Sequence, residues 1–281
     1  MATLPSEQGQ APGPWPREAH QAREVAQSFG SDAERYDRAR PRYPDALIER
    51  IAAAIPGRDV LDVGCGTGIS SRQFQAAGCR VLGIDPDPRM AAFARRRGMA
   101  AEVAKFEDWD PAGRTFDAVV AGMAWHWVDP IAGAARAARV LRPGGRLAVF
   151  WYVFQPAPAL AEDFAAVYRR VLPPGSPFAS GTMPGLDAYS AFFAKAEDGI
   201  RQSGAFSDPD PWQEWRYDWE QAYTRDQWLD AVPTSGGHSR FPPATLHQLL
   251  AGIGAAIDAA GGGLTMHYTA AAVTATRIGT A

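Results

Sequence analysis

The stretch VLDVGCGTGIS, residues 60–70, sets three glycines at alternate positions directly after an apolar run that carries one aspartate. A short apolar run rich in valine and leucine reads as a buried strand. Glycines just beyond it remove side chains where the backbone turns sharply, approaches a ligand closely and enters a helix. The turn is therefore expected to cradle a ligand. A dinucleotide fingerprint, G-x-G-x-x-G, requires glycine at position 69, and Ile69 stands there. The pattern is instead D-x-G-x-G-x-G, with Asp62 at the strand end, where a carboxylate would repel a pyrophosphate but accept hydrogen bonds from an ammonium. A second carboxylate, Asp85, closes the next apolar run in GIDPDPRM, the place from which an acidic residue grips ribose hydroxyls. Together these features fit a nucleoside carrying an amino-acid tail.

Outward from this turn, short apolar runs alternate with helical patterns. Residues 60–63, 81–84, 101–104, 116–120 and 146–151 read as strands, and 69–77, 87–97 and 131–140 as helices. Such alternation implies crossover units and a parallel sheet covered on both faces. An earlier helix starts at Pro44, with Leu47, Ile48, Ile51 and Ile55 at helical spacing, and LRPGG at 141–145 reads as a turn into the fifth strand. After residue 152 the alternation stops. Two helical patterns near 160–171 and 187–203, separated by PPGSPFASGTMPG, read as a cap inserted late in the sheet. The last third offers a strand near 213–220, a helix bearing Leu246, Leu249, Leu250, Ile253 and Ile257 on one face, a GGG stop, and a strand over 264–278.

Composition narrows the class. Of 281 residues 46% are hydrophobic and 21% charged, with a net charge of −3 and a pI near 6.0, values of a globular protein without a nucleic-acid footprint. The most basic cluster, Arg95, Arg96 and Arg97, reads as a solvated helix end. Two cysteines, Cys65 and Cys79, form no disulfide framework or zinc pattern, and no apolar run approaches the roughly 20 residues of a membrane span. A cytoplasmic protein without membrane or nucleic-acid partners is expected, with a disordered tail over residues 1–16. No pattern specifies an oligomeric state.

The blocks LDVGCGTG, GIDPDPRM, FDAVVAGMAWHW and LRPGGRLAVF, in this order and at this spacing, resemble the class I S-adenosylmethionine-dependent methyltransferases over roughly residues 28–155. FGSDAERYDRARPRYP, FEDW and AWHWVDP resemble the small-molecule branch that includes trans-aconitate methyltransferase-like proteins. The resemblance implies an α/β, Rossmann-like, doubly wound and mostly parallel sheet with a helical cap insertion and C-terminal antiparallel strands. Its expected divisions are an N-terminal tail and start of a lid (1–27), the cofactor-binding core (28–155), the helical cap (156–204) and the strands and helix completing the sheet and substrate pocket (205–281).

It also implies roles. Gly64 and Gly66 would face the aminoacyl side of S-adenosylmethionine, Asp85 the ribose, Pro86 and Met90 the adenine pocket, and Phe106 and Glu107 its edge. Ala121 and Met123, at the end of the fourth strand, would lie against the cofactor. Many relatives place an aspartate where Lys105 stands, so adenine would here be held by backbone groups and apolar contacts. The segment AERYDRARPRYP would fold over the cofactor, with Tyr36 toward the sulfonium or the substrate and Arg40 on the cofactor carboxylate.

For the chemistry, His126 is either a general base or a packed, hydrogen-bonded histidine. Trp125 and Trp127 are expected to split between core and acceptor-site wall, and Tyr43 is either an active-site aromatic or a staple before the helix. Trp212, Trp215, Trp219, Tyr223 and Trp228 suit an apolar pocket, and His238 reads as an exposed loop residue or a second polar candidate. No histidines show metal-ligand spacing. The expected reaction is methylation of a small organic molecule at oxygen, nitrogen or carbon, including an aromatic or indole-like, lipid-like or acidic acceptor. The competing classes are a nicotinamide-dependent oxidoreductase and an S-adenosylmethionine-binding protein that does not methylate.

Overall fold

The computed structural model describes residues 28–176, 178 and 185–279. The tail expected over 1–16 lies outside them. A 3-10 turn over Phe29–Asp32 leads into α1 (Ala33–Ala39), capped by the Asp32 carboxylate accepting from the Arg35 N–H, and α2 (Asp45–Ala53) follows. The alternating unit runs β1 (Asp59–Val63), α3 (Ile69–Ala76), β2 (Arg80–Asp85), α4 (Pro88–Arg96), β3 (Ala100–Val103), β4 (Phe116–Gly122), α5 (Pro130–Val140) and β5 (Leu141–Pro156). Then come α6 (Pro158–Val171), α7 (Ser190–Ser203), β6 (Tyr217–Thr224), α8 (Arg225–Ala231), α9 (Pro243–Ala259) and β7 (Gly263–Thr276).

The strands form one seven-stranded sheet in the order β3-β2-β1-β4-β5-β7-β6. The first five neighbour in parallel, and β7 runs antiparallel to both β5 and β6. Only β7 is therefore reversed, and β6 points the same way as β5, so the expected antiparallel pairing of the C-terminal strands is that of β6 with β7. The chain winds outward from β1 in one direction and from β4 in the other, so the order switches between β1 and β4.

Alternation along each central strand builds two cores. Ala148, Phe150 and Tyr152 of β5 join α2, α3, α6 and α9 on one face, whereas Leu147, Val149, Trp151 and Val153 join α5 and α7 on the other. The strands buried on both faces are correspondingly near-continuous in apolar residues, which is why they were legible as strands.

Three departures from the sequence reading have local causes. The segment LRPGG is not a free turn: Leu141 pairs with Phe116, the register shifts, and pairing resumes at Arg146 opposite Ala118. Pairing with β7 also carries β5 six residues past its last partner on β4, from Gly122↔Phe150 to Pro156↔Met266, so Tyr152 and Phe154 project beyond the carboxyl ends of the parallel strands. The two helices of 156–204 are not packed as one unit, since α6 lies in the core with α9 and α7 in the core with α5. Their apolar stripes face opposite sides of the sheet, a difference that helical periodicity does not encode.

Candidate functional site

A cleft of about 330 Å³ opens at the switch point, beyond the carboxyl ends of β1, β2 and β4, within the usual volume of a small-molecule site. Its floor is the glycine turn. Gly64 has φ +67, and a Cβ there would stand 2.5 Å from the Cβ of Ala124; Gly66, at φ +55, would direct its Cβ into open space. These two positions need glycine for backbone conformation, and the first also for close packing.

Four main-chain donors of this turn are committed within the protein. Gly64 and Cys65 donate to the Ile84 carbonyl at 2.8 and 3.0 Å, Gly66 donates to Asp85 Oδ2 at 2.8 Å, and Gly68 to the Cys65 carbonyl at 2.8 Å. A phosphate-binding loop needs such N–H groups free and unopposed by a carboxylate. This turn supplies space beside an acid.

Asp85 is that acid. Its Oδ1 accepts from the Asp87 N–H at 2.8 Å, so one donor orients each oxygen while further lone pairs stay available to a ligand. Burial pushes its carboxyl up to about 6, against the main-chain hydrogen bonds that favour the ionised form. Pro86, Met90, Phe106 and Glu107 line the same end of the cleft, as does Lys105. Glu107 is fixed by accepting from the Asp129 N–H at 3.1 Å, and Phe106 packs against Trp125.

Residues of α1 and of the segment that follows it complete the cleft. Tyr36 and Arg40 line the cleft, with the Arg40 guanidinium 5.0 Å from the Tyr36 ring centroid. Arg40 donates to the Thr234 carbonyl at 2.5 Å and to Tyr152 Oη at 3.4 Å, while its Nε has no acceptor among the described residues. No carboxylate among the described residues lies within ion-pair distance of Arg40, which leaves a half-buried cation in the lining of the ligand space. Thr67, also lining the cleft, has a buried hydroxyl without a partner among the described residues.

Met123 lies at the end of β4 with φ +54, a left-handed conformation unusual for a residue other than glycine. Its N–H donates to the Phe150 carbonyl at 2.8 Å, and its sulfur receives the Tyr152 N–H at 3.2 Å, which fixes its place in the cleft wall. The two tryptophans divide as expected: Trp125 is core and Trp127 lines the cleft. Tyr43 lines the cleft too, packed edge-on against Phe150 at 4.7 Å, so it is wall and core at once.

His126 reaches the cleft, but its hydrogen bonding does not suit a base. The Trp151 indole N–H, which can only donate, gives its hydrogen bond to His126 Nδ1 at 3.1 Å, and Phe192 stacks on the imidazole at 4.9 Å. Nδ1 is thus the bare nitrogen, the ring proton sits on Nε2, and burial lowers the pKa to about 3. The ring is a neutral donor, which fits the packed alternative.

Of the aromatics expected at the pocket, Trp212, Trp215, Trp219 and Tyr223 lie outside the cleft and Trp228 lines it, and two residues expected at the cofactor also lie outside. Asp62 is fully buried beneath the turn, its Oδ2 accepting from Ser70 Oγ at 2.8 Å and Ser71 Oγ at 2.5 Å, because its face of β1 points at the first turn of α3. Ala121 is sealed in the opposite core, since the strand alternation that turns Gly122 to the cleft turns Ala121 away. His238, read as exposed, is buried at the cleft. Tyr152, Tyr168 and Tyr189 also line the cleft and were missed, because each sits within an ordinary strand or helix pattern with no local motif.

A methyltransferase-domain family matches residues 61–149. An uncharacterized methyltransferase of Mycobacterium tuberculosis is 39% identical over 131 residues, covering 46% of this chain and 54% of the relative. The chain thus spans about half the length of that curated relative. A demethylmenaquinone methyltransferase of Tropheryma whipplei is 35% identical over 162 residues, 53% of this chain and 67% of the relative. Among solved structures, a candidate type II methyltransferase from Anaeromyxobacter dehalogenans superposes with a TM-score of 0.57 at 23% identity, over 86% of this chain and 99% of that one. That likeness concerns the fold. The chain belongs to the class I S-adenosylmethionine-dependent methyltransferases.

Proposed function

We propose that this protein transfers the methyl group of S-adenosylmethionine to a small organic molecule, in line with the small-molecule branch that its lid and FEDW motifs resemble. The observation that carries this reading is the buried carboxylate of Asp85, oriented by two main-chain donors beside a glycine turn whose Gly64, Cys65, Gly66 and Gly68 N–H groups are already bonded. That arrangement suits ribose hydroxyls and an aminoacyl group, and disfavours a pyrophosphate. Unpartnered Arg40 Nε and Thr67 Oγ1 supply further polar groups for the amino-acid end. On this reading Gly64 and Gly66 leave room for the aminoacyl chain, Arg40 pairs with its carboxylate, Asp85 accepts from the ribose, and Pro86, Met90 and Phe106 enclose the adenine.

When bound, S-adenosylmethionine supplies an electrophilic methyl group on sulfur. The protein's contribution is to hold an acceptor atom in line behind it and keep water out. Well-oriented partners gain about 7–11 kcal/mol from positioning, whereas general-base help is typically worth only about 10²–10⁴-fold. The aromatic wall of Tyr36, Trp127, Tyr152 and Phe154 suits this positioning role. His126, with its proton on Nε2, orients the wall and is not assigned a proton-accepting step.

Calorimetric titration tests the reading. S-adenosylhomocysteine is expected to bind and NAD not to, and Asp85→Ala should weaken S-adenosylhomocysteine by roughly 1–3 kcal/mol. Because the Asp85 carboxyl titrates near 6 before ligand binds, wild-type affinity should fall as pH drops through 6, with the Ala variant flat over that range. Preferential binding of NAD would remove the reading. Cofactor binding without S-adenosylhomocysteine formation in any active mixture would favour a protein that does not methylate.

A further inference from the structure

The far lobe of the cleft, walled by Phe154, Phe164, Phe178, Trp228 and Ile253, holds one hydrogen-bonded pair that the cofactor-binding groups leave unused. His238 Nδ1 lies 2.9 Å from the Ser235 carbonyl oxygen and His238 Nε2 lies 2.6 Å from Tyr168 Oη. A carbonyl only accepts, so Nδ1 carries the proton. The imidazole is buried among Tyr168, Phe178 and Phe241, whose ring centroids lie 5.2–5.7 Å from its own, and burial lowers its pKa to about 4. It is therefore neutral, Nε2 is bare, and the proton between the two side chains belongs to the phenol and points at the histidine.

This chain of hydrogen bonds fixes the polarity of Tyr168 toward the lobe. With its only proton committed to His238, the phenol oxygen offers lone pairs alone, and burial raises its pKa so that it stays a neutral phenol. We propose that Tyr168, held by His238, recognises a hydrogen-bond donor, a hydroxyl or N–H, on an aromatic methyl acceptor whose ring occupies the surrounding apolar lobe. A carbonyl or ether of the same shape would set two lone pairs against each other at this point. Trp228, in the same wall, has a buried indole N–H without an acceptor among the described residues, so the lobe leaves polar capacity on both Tyr168 and Trp228. The inference rests on the methyltransferase function proposed above, because it treats this lobe as the acceptor side of that site.

The test compares 2-naphthol with its size-matched methyl ether, 2-methoxynaphthalene, by titration of the full chain. One buried hydrogen bond predicts about a tenfold preference for the naphthol in the wild type. Tyr168→Phe should shrink that preference to within about twofold, chiefly by weakening the naphthol. His238→Ala frees the phenol proton, so it should tighten the ether several-fold, a change that mere loss of packing would not produce. A wild-type preference below threefold, a preference that survives in Tyr168→Phe, or failure of both probes to bind overturns the inference. S-adenosylhomocysteine is titrated separately on every variant: binding there while the naphthol comparison fails leaves the cofactor reading standing, whereas loss of it in the wild type removes that reading instead.

Discussion

Asp62 and Asp85 are both aspartates at the ends of adjacent strands, both are buried, and both are held near 6, yet only one faces the cleft. The difference lies in which face of its strand each occupies. Asp62 is satisfied by two serine hydroxyls on one oxygen and has no partner for the other among the described residues. Desolvation dominates its raised pKa, with the serines opposing. A folded-state pKa above the ordinary carboxylate range means that its contribution favours folding at low pH and is lost as pH rises through about 6. Asp62→Asn should therefore gain stability relative to wild type as pH is raised from 4 to 8, by roughly 2 kcal/mol for a shift of about two units. Chemical denaturation across that range checks it, and a pH-independent difference would show that Asp62 is not a buried charge. The D-x-G pattern disclosed an acid at this spot, but its partners Ser70 and Ser71 acquire meaning only once α3 docks over β1.

Helix α1 shows what a short element needs in order to stay in place. It buries no residue completely and is fastened by ions instead: Arg35 and Arg38 both donate to Asp230 on α8, at 3.1 and 2.9 Å, and Asp37 pairs with Arg72 on α3 at 2.6 Å. It thus bridges the cofactor end and the far lobe, carrying Tyr36, with Arg40 immediately beyond. Exposed ion pairs are individually weak and screened by salt. Asp230→Ala should accordingly speed release of bound S-adenosylhomocysteine a few-fold at low ionic strength, with the difference vanishing near 0.5 M salt in stopped-flow measurements. An unchanged off-rate at low salt would detach α1 from ligand retention. The Arg38 partner lies 192 residues away, and no local spacing signals it. Helix α8 was missed for a related reason. Its start is set by a capping box between Thr224 and Gln227, but Tyr223 and Trp228 read as one pocket-forming aromatic cluster.

For the molecule as a whole, a ligand that binds only the folded state raises its stability by mass action. S-adenosylhomocysteine at 100 times its dissociation constant should add about 2.7 kcal/mol, a rise in Tm of roughly 5–10 °C for a domain of this size. NAD at equal concentration should leave Tm unchanged, and the reverse result would contradict the site as described. The parallel core was legible because each strand from β1 to β5 and each helix between them carries its own periodicity, and because the glycine turn and Asp85 sit next to each other along that alternating chain. The strands, the turn and the acidic strand end are local facts repeated in series. The far lobe is of another kind. Phe154, Tyr168, Trp228, His238 and Ile253 come from a strand extension, three helices and a loop, and they meet only because pairing with β7 carries β5 past its neighbours and because α6 packs against α9 rather than α7. Local spacing cannot carry that information, for burial and the direction of a hydrogen bond are set by what arrives from elsewhere in the chain. His238 makes the point: flanked by glycines it reads as an exposed loop histidine, and three-dimensional packing makes it a neutral acceptor at the bottom of a cleft.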